Sequence, residues 1–216
     1  MGTEEQVLPL FPLNTVLFPG VSLPLQIFED RYKQMLQDCL DADSKFGVVL
    51  IREGSEVGGP AVPYSTGTLA DIVQVNEARG GRFFVSAIGR RRFRIVEFTQ
   101  QTPYLSAVVE LLAEEADTGA STELTQAVRE TLSSHVVLTS GLEGGWVREV
   151  RSPSEPVTLS YFVAAAMQID LPQKQALLEE ETVSARLQAE LEMLEGSAKV
   201  LKRRVRRELS QRFSRQ

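Results

Sequence analysis

The chain has 216 residues, 43% of them hydrophobic and 24% charged, a composition that allows a sizeable core without a disulfide or metal staple. Its net charge of −6 argues against a protein whose whole surface binds nucleic acid. Cys39 is the only cysteine, which excludes an internal disulfide, and no apolar run approaches the ~20 residues of a membrane span; we therefore expect a cytoplasmic protein without membrane contact.

The first half of the chain is patterned as short β-strands. Proline interrupts the apolar runs 8–13 and 21–27, which favours edge or irregular strands over central ones. An apolar stripe of helical period follows at 29–40, and the helix dipole accounts for Glu29 and Asp30 at its start without an acid–base site. Further strands are predicted at 46–52, 67–75, 82–88, 93–98 and 104–112, with turns at 78–81 and at Gly89-Arg90. This spacing indicates a barrel-like or sandwich-like β unit.

The second half is patterned as helices. An acidic, polar linker covers 113–119, so we place a β-rich subdomain at 1–113 and a helical subdomain at 114–216. Helix starts are predicted at Ser121 or Thr122, at Ser154 with Pro156 in the first turn, at Asp170 and at Thr182. The last helix carries an apolar stripe over roughly thirty residues, which is about 45 Å of α-helix.

Six motifs along the chain follow one another in a characteristic order. They are 8–20 (LPLFPLNTVLFPG), 23–32 (LPLQIFEDRY), 46–51 (FGVVLI), 67–72 (GTLADI), 89–95 (GRRRFRI) and 175–179 (QALLE), the last followed by Arg186-Leu187. In this order and at this spacing, the chain resembles the N-terminal substrate-recognition domain of the Lon proteases. The resemblance implies an α+β protein with a PUA-like β pseudo-barrel, followed by a C-terminal helical bundle with a long terminal helix.

The same resemblance implies a module that captures unfolded or specific protein clients. The sequence contains no Walker A phosphate loop and no Gly-Lys pair, and none of its five lysines belongs to a serine–lysine protease region. We therefore expect a non-catalytic, stand-alone recognition module without a cofactor. Whether it acts alone or with a separate protease is left open by the sequence, as is its oligomeric state.

Cys39 and His135 are the candidates for a nucleophile and its base. Cys39 falls on the apolar face of its predicted helix, as a buried structural cysteine does. His135 lies at a predicted helix end without an acidic partner, and one histidine with one cysteine supplies too few ligands for zinc. We therefore assign no catalytic residue and no metal-binding residue.

The alternative function is RNA binding, which PUA-like folds perform in other families. Arginines surround two predicted hairpins, and Phe83, Phe84 and Phe93 lie among them as platforms for stacked bases. These arginines are Arg79, Arg82, Arg90, Arg91, Arg92 and Arg94. The negative net charge and the Lon-like motifs make RNA binding the weaker alternative. Ser197–Gln216 also holds eight basic residues against one acid, which we attribute to the helix dipole rather than to a nucleic-acid, lipid or protein partner.

For peptide binding, the sequence predicts a groove that takes up exposed apolar segments, or an exposed sheet edge to which a peptide adds a strand. The predicted lining residues are Phe18, Tyr64 and Phe84. Tyr64 lies in a loop rich in glycine and proline, and Phe84 alternates with Phe83, so only one of the two phenylalanines can point to a given face.

Overall fold

The computed structural model of the chain describes residues 5–113, 120–142, 145 and 150–213, without the side chains of 142 and 201–213. The strands are β1 (Glu5–Leu13), β2 (Ser22–Ile27), β3 (Lys45–Gly54), β4 (Ala61–Ala78), β5 (Arg82–Gln100) and β6 (Leu105–Leu111). The helices are α1 (Asp30–Asp41), α2 (Thr122–Leu142), α3 (Pro156–Ala166), α4 (Leu171–Glu179) and α5 (Val183–Phe213). In this part of the chain, no helix combines the length and hydrophobicity needed to cross a bilayer.

The six strands form one mixed sheet that closes on itself. Neighbouring strands run in the order β2-β5-β4-β3-β1-β6, and β6 also pairs with β5, so that all strands except β2 form a ring. Strands β1 and β3 are parallel, whereas the other pairs are antiparallel. The ring, together with the helices, confirms the predicted α+β fold with a β pseudo-barrel.

The prediction of a turn at Gly89-Arg90 is wrong, because β5 runs straight through these residues. Leu69 pairs with Arg91 and Ala70 pairs with Gly89, which leaves Arg90 as the extra residue of a β-bulge. Gly89 exchanges backbone hydrogen bonds with the segment 20–21, at 2.8 and 2.9 Å. A Cβ atom on Gly89 would lie 2.5 Å from a backbone oxygen of that region, so glycine permits a close approach of two chain segments here.

Strand β1 accommodates two prolines because it changes partner midway. Glu5–Leu10 pairs with β6, and 10–13 pairs with β3. Pro9 therefore lies in a half of the strand that has β6 as its partner, and Pro12 lies in the half that has β3. Within the described residues each half of β1 has a partner on one side only, and proline is tolerated in strands of this kind because it lacks the N–H that a central strand needs.

Helix α1 covers one side of the barrel with the apolar face that its sequence predicts. Tyr32, Met35, Leu36 and Cys39 are all buried, and they pack in one cluster with residues of β1 and β3. A second cluster fills the barrel around Leu10, Val49, Leu69, Phe93 and Val109, drawn from five different strands. Two clusters of this size hold the strands in register, which fixes the positions of the side chains at their ends.

The helix starts agree with the predicted caps at all but one position. The Ser121 hydroxyl accepts a hydrogen bond from the Leu124 N–H, and the Thr182 hydroxyl accepts one from the Ala185 N–H, both at 3.1 Å. Helix α3 is different: Glu155 rather than Ser154 caps it, and its carboxylate accepts the N–H groups of Val157 and Thr158. Pro156 occupies the first position of α3, as the sequence predicts.

The chain groups into two compact units. One comprises Met1–Glu114 with Ala164–Glu179, and the other comprises Glu115–Val163 with Glu180–Gln216. Helix α4 therefore groups with the strands, whereas the sequence places all of 114–216 in a helical subdomain. The two-subdomain division stays a prediction, and residues 114–119 of its acidic linker lie outside the described residues.

Polar contacts attach α4 to the barrel within the first unit. The amide of Gln175 donates a hydrogen bond of 3.0 Å to the carbonyl oxygen of Thr66 on β4. The guanidinium of Arg92 on β5 donates one of 2.9 Å to the carbonyl oxygen of Leu178. Because Gln175 and Arg92 are both buried, losing either bond would remove a buried hydrogen bond between α4 and the barrel, which is costly.

Candidate functional site

A groove of about 250 Å³ opens on the barrel unit where the ends of several strands meet the start of α1. Its apolar lining includes Pro12, Pro60, Val62, Pro63, Phe98 and Leu105. Arg31, Gln101 and Tyr104 supply the polar groups. Clefts with mostly apolar walls and a few polar groups are the usual form of ligand sites in proteins.

Two large apolar side chains of the groove lining are exposed. Val62 and Phe98 each expose 46% of their surface, although both belong to strands of the barrel. A smaller hollow of about 40 Å³, which includes Phe28 and Val57, shares Tyr32 with the groove. Phe28 and Val57 are also about half exposed. Exposed apolar side chains grouped around a concavity mark a surface that binds another molecule.

Arg31 fixes one wall of the groove by holding the loop before β4. Its guanidinium pairs with the Glu29 carboxylate at 3.1 Å and donates to the carbonyl oxygens of Glu56 and Gly59, both at 3.3 Å. It also lies 4.5 Å from the centre of the Tyr32 ring. The Glu29 carboxylate reaches the same loop, where it accepts the N–H of Gly58. Glu29 and Arg31 therefore act as structural groups that tie this loop to the start of α1.

Tyr104, another residue of the groove lining, is held in place by Asp38 of α1. The phenol donates a hydrogen bond of 2.6 Å to the Asp38 carboxylate. Burial, together with this hydrogen bond and the Asp38 charge, raises the pKa of Tyr104 to about 12. The phenol therefore stays protonated at neutral pH, and the ring presents a fixed surface to the groove.

The predicted lining residues Phe18, Tyr64 and Phe84 are not brought together by the fold. Phe18 is only 1% exposed and belongs to the core, so its assignment to a surface groove is wrong. Tyr64 is half-buried and follows the groove residue Pro63. Phe84 is 50% exposed but pairs with Asn76, towards the far end of β4 from Tyr64.

Sequence reasoning missed Val62, Phe98 and Tyr104. Phe98 lies in a stretch of β5 where Val96, Glu97 and Thr99 are also exposed. The pairing of β5 with β6 shifts register just before Glu97 and again just after Phe98, so the regular alternation of a strand does not report which way Phe98 faces. The contributions of Val62 and Tyr104 depend on how separate strands meet.

Cys39 and His135, the two candidate reactive residues, lie in different units, and the contacts of each are those of a structural residue. Cys39 is buried in α1, and burial together with the charges of Asp38 and Asp43 raises its pKa to about 12, so it remains a thiol. His135 lies inside α2 rather than at a helix end, with its Nδ1 atom 3.4 Å from the Ser197 hydroxyl, and burial lowers its pKa. Among the described residues, no group of three or more His, Cys, Asp or Glu side chains is placed to hold a metal ion.

The arginines of the predicted RNA-binding surface do not form one solvated patch. Arg90 pairs with Asp71 at 2.7 Å, and Arg91 donates to the carbonyl oxygen of Leu112. Arg92 is buried against α4, and Phe93 belongs to the barrel core. Half of the six arginines are therefore committed to contacts within the chain, which removes the main support for the RNA-binding alternative.

Comparison with known proteins identifies the family of this fold. The model of the ATP-dependent protease La (LON) substrate-binding domain matches residues 7–196. The chain belongs to the Lon substrate-binding domain family. This confirms the resemblance carried by the sequence motifs, and it makes the groove a feature of a Lon substrate-binding domain.

Relatives of this Lon domain include complete proteases. Lon protease 2 of Myxococcus xanthus is 32% identical over 201 residues, which cover 91% of this chain and 24% of the protease. The Lon protease of Rhizobium meliloti (strain 1021) is 26% identical over 218 residues, covering 100% of this chain and 27% of the protease. The chain thus spans about a quarter of the length of the curated relatives that it matches.

Solved structures of Lon domains share the fold. The Lon N-terminal domain protein from Xanthomonas campestris superposes with a TM-score of 0.65 at 26% identity, covering 85% of this chain and 95% of that chain. The N-terminal domain of the Mycobacterium avium complex Lon protease gives the same TM-score of 0.65 at 21% identity, covering 88% and 98%, and supports the fold alone.

Proposed function

We propose that this Lon-family domain is a non-catalytic recognition module that binds extended apolar segments of protein clients in the groove. The observation that carries the proposal is the pair of half-exposed side chains, Val62 and Phe98, in the groove lining. Membership of a substrate-binding family supports the same function. A role in quality control or client selection follows, because apolar segments are exposed mainly by chains that have not folded.

The size of the groove limits what it can hold. A volume of about 250 Å³ is below that of most sites for drug-sized ligands, so it accommodates one or two side chains of a client rather than a folded surface. Covering the exposed half of Phe98 is worth about 1 kcal/mol, taken as half of the 1.5–3 kcal/mol for burying such a side chain. Binding at a single groove is therefore weak, as expected for a module that must release its clients.

Strand addition at β2 is the second mode of binding, and the structure allows a direct test between the two. Strand β2 pairs only with β5 among the described strands, so an added strand would pair with its other edge. Phe84 of β5 pairs with Gln26 of β2 and is half exposed. Phe98 and Phe84 are thus two phenylalanines of one strand with similar exposure, one at the groove and one on the part of β5 that pairs with β2.

The test measures the Kd of a fluorescently labelled, unstructured peptide with a Phe-Leu centre by fluorescence anisotropy. We expect Phe98→Ala to raise the Kd about fivefold, because it removes about 1 kcal/mol of apolar contact. Phe84→Ala is the matched control and leaves the Kd unchanged. The reverse result would assign binding to the surface around Phe84 where β5 pairs with β2, and equal Kd values for all three proteins would overturn the groove as the site.

A further inference from the structure

We propose that the client segments bound in the groove carry lysine or arginine next to their apolar residue. This inference rests on the proposed function and adds a charge preference to it. The observation behind the inference is that two carboxylates near the groove have no cationic side chain paired with them.

Two carboxylates, Glu29 and Glu56, line the hollow beside the groove, and a third, Asp38, is bonded to the groove residue Tyr104. Glu29 is paired with Arg31 at 3.1 Å, so its charge is compensated. Asp38 accepts the Tyr104 hydroxyl at 2.6 Å, and Glu56 accepts the backbone N–H of Asn14 at 2.8 Å. Both of these donors are neutral. Within the described part of the chain, neither Asp38 nor Glu56 has a cationic side chain at ion-pair distance.

Both uncompensated carboxylates are linked to the apolar lining. Tyr104 lines the groove, which places the Asp38 carboxylate one hydrogen bond away from it. Glu56 lines the adjoining hollow together with Phe28 and Val57. Its carbonyl oxygen also accepts a hydrogen bond from Arg31, a groove residue. A peptide that fills the groove and passes over the hollow therefore meets a negative charge near each.

The two charges favour a basic client and disfavour an acidic one. Asp38 is exposed and Glu56 is partly exposed, so water and salt screen their electrostatic interaction with a bound peptide. An exposed ion pair of this kind changes an affinity by up to about fivefold. The same charges weaken the binding of acidic segments. Selection among clients depends on the difference between the affinities for basic and acidic segments.

The test compares three labelled peptides that share one Phe-Leu centre and differ only in flanking residues, which are lysine, serine or glutamate. With the full chain, we expect the lysine peptide to bind most tightly and the glutamate peptide most weakly, with Kd values about tenfold apart at low salt. The spread narrows as the ionic strength rises, because salt screens exposed charges.

Two isosteric variants locate the effect. Asp38→Asn and Glu56→Gln keep an oxygen that accepts the bond from Tyr104 or Asn14 but remove the charge. We expect each to reduce the preference for the lysine peptide about threefold while leaving the serine peptide unaffected. Glu77→Gln is the control: it removes the same charge from an exposed position next to the hairpin at the other end of β4, and it leaves the preference intact.

The outcomes separate this inference from the proposed function. If the three peptides bind equally and Phe98→Ala weakens all of them, the charge preference is overturned and the groove stands. If no peptide binds, the proposed function fails. If the chain self-associates at low salt in sedimentation experiments and both variants abolish the association, the basic end of a second copy occupies the groove, which overturns the client proposal.

Discussion

At the scale of single residues, the carboxyl group of Glu190 has the least favourable surroundings in the helical unit. It is fully buried on α5, and neither of its oxygens has a hydrogen-bond partner among the described residues. Arg186, one turn earlier, donates to the Ser160 hydroxyl at 3.0 Å and lies over the Tyr161 ring. Burial raises the pKa of Glu190 to about 9, although the charge of Arg186 acts in the opposite direction. The group is therefore neutral in the folded protein at physiological pH.

This raised pKa makes the stability of the helical unit depend on pH. In the unfolded chain Glu190 loses its proton near pH 4.5, whereas in the folded chain it keeps the proton up to about pH 9. The free energy of unfolding therefore falls as the pH rises through this window. We expect Glu190→Gln to remove that slope and to stabilise the protein by about 2 kcal/mol at pH 7.5 relative to wild type. The measurement is the free energy of unfolding in urea at several pH values. If this free energy changed with pH in the same way for wild type and Glu190→Gln, the prediction would be wrong.

At the scale of elements, the start of α3 is capped by the longer side chain of Glu155 rather than by the side chain of Ser154. Ser154 and Glu155 both precede Pro156, and serine is the better N-cap in general. The structure uses Glu155, whose carboxylate accepts the N–H groups of Val157 and Thr158 at 2.9 and 2.7 Å. Partial burial raises the pKa of Glu155, but the hydrogen bonds from Thr158 and Val157 outweigh it and hold the pKa below its usual range.

We expect Glu155→Ala to lower the free energy of unfolding by about 1 kcal/mol, because two N–H groups of α3 lose their acceptor. Since the folded pKa is depressed, this contribution is present above the unfolded pKa and is lost as the pH falls through the folded pKa. Ser154→Ala is the neighbouring control and leaves stability unchanged at every pH. Urea unfolding measures both, and a larger loss with Ser154→Ala would show that the serine caps the helix.

At the scale of the whole molecule, the chain leaves the first unit after Glu114 and returns to it at Ala164. The returning segment contains α4, which is bonded to β4 through Gln175 and to β5 through Arg92. A fragment that ends at residue 113 therefore lacks the segment 164–179 of the unit that contains the barrel. The segment 164–179 belongs in any fragment intended to preserve the groove.

We expect native-state hydrogen exchange of the full chain to show that α4 opens together with the barrel. Amides of α4 and β4 should have the same opening free energy and the same dependence on urea, because the buried bond between Gln175 and Thr66 breaks when either opens. Amides of α2 provide the comparison, since α2 belongs to the other unit. Opening of α4 in step with α2 would instead support a division of the chain after residue 113.

Sequence reasoning succeeded where a local pattern determines the outcome. The apolar face of α1, the hairpin at Gly80-Gly81 with positive φ angles, and the cap at Ser121 all depend on residues close together in the chain. It failed at Gly89, because a bulge and a turn both favour glycine. It also failed at the groove, since Phe18 is apolar and near a turn but buried, and no local pattern reports which strand ends meet.

The closure of the sheet bears on aggregation. The unpaired backbone groups along a free strand edge are a template on which another chain can add a strand. Here β2 lies at the end of the strand order and pairs only with β5 among the described strands, and it has six residues with Pro24 near its middle. Proline cannot donate to a growing ladder, so this edge is a poor template for a fibril. The closure of the sheet therefore limits the strand edges that another chain could extend.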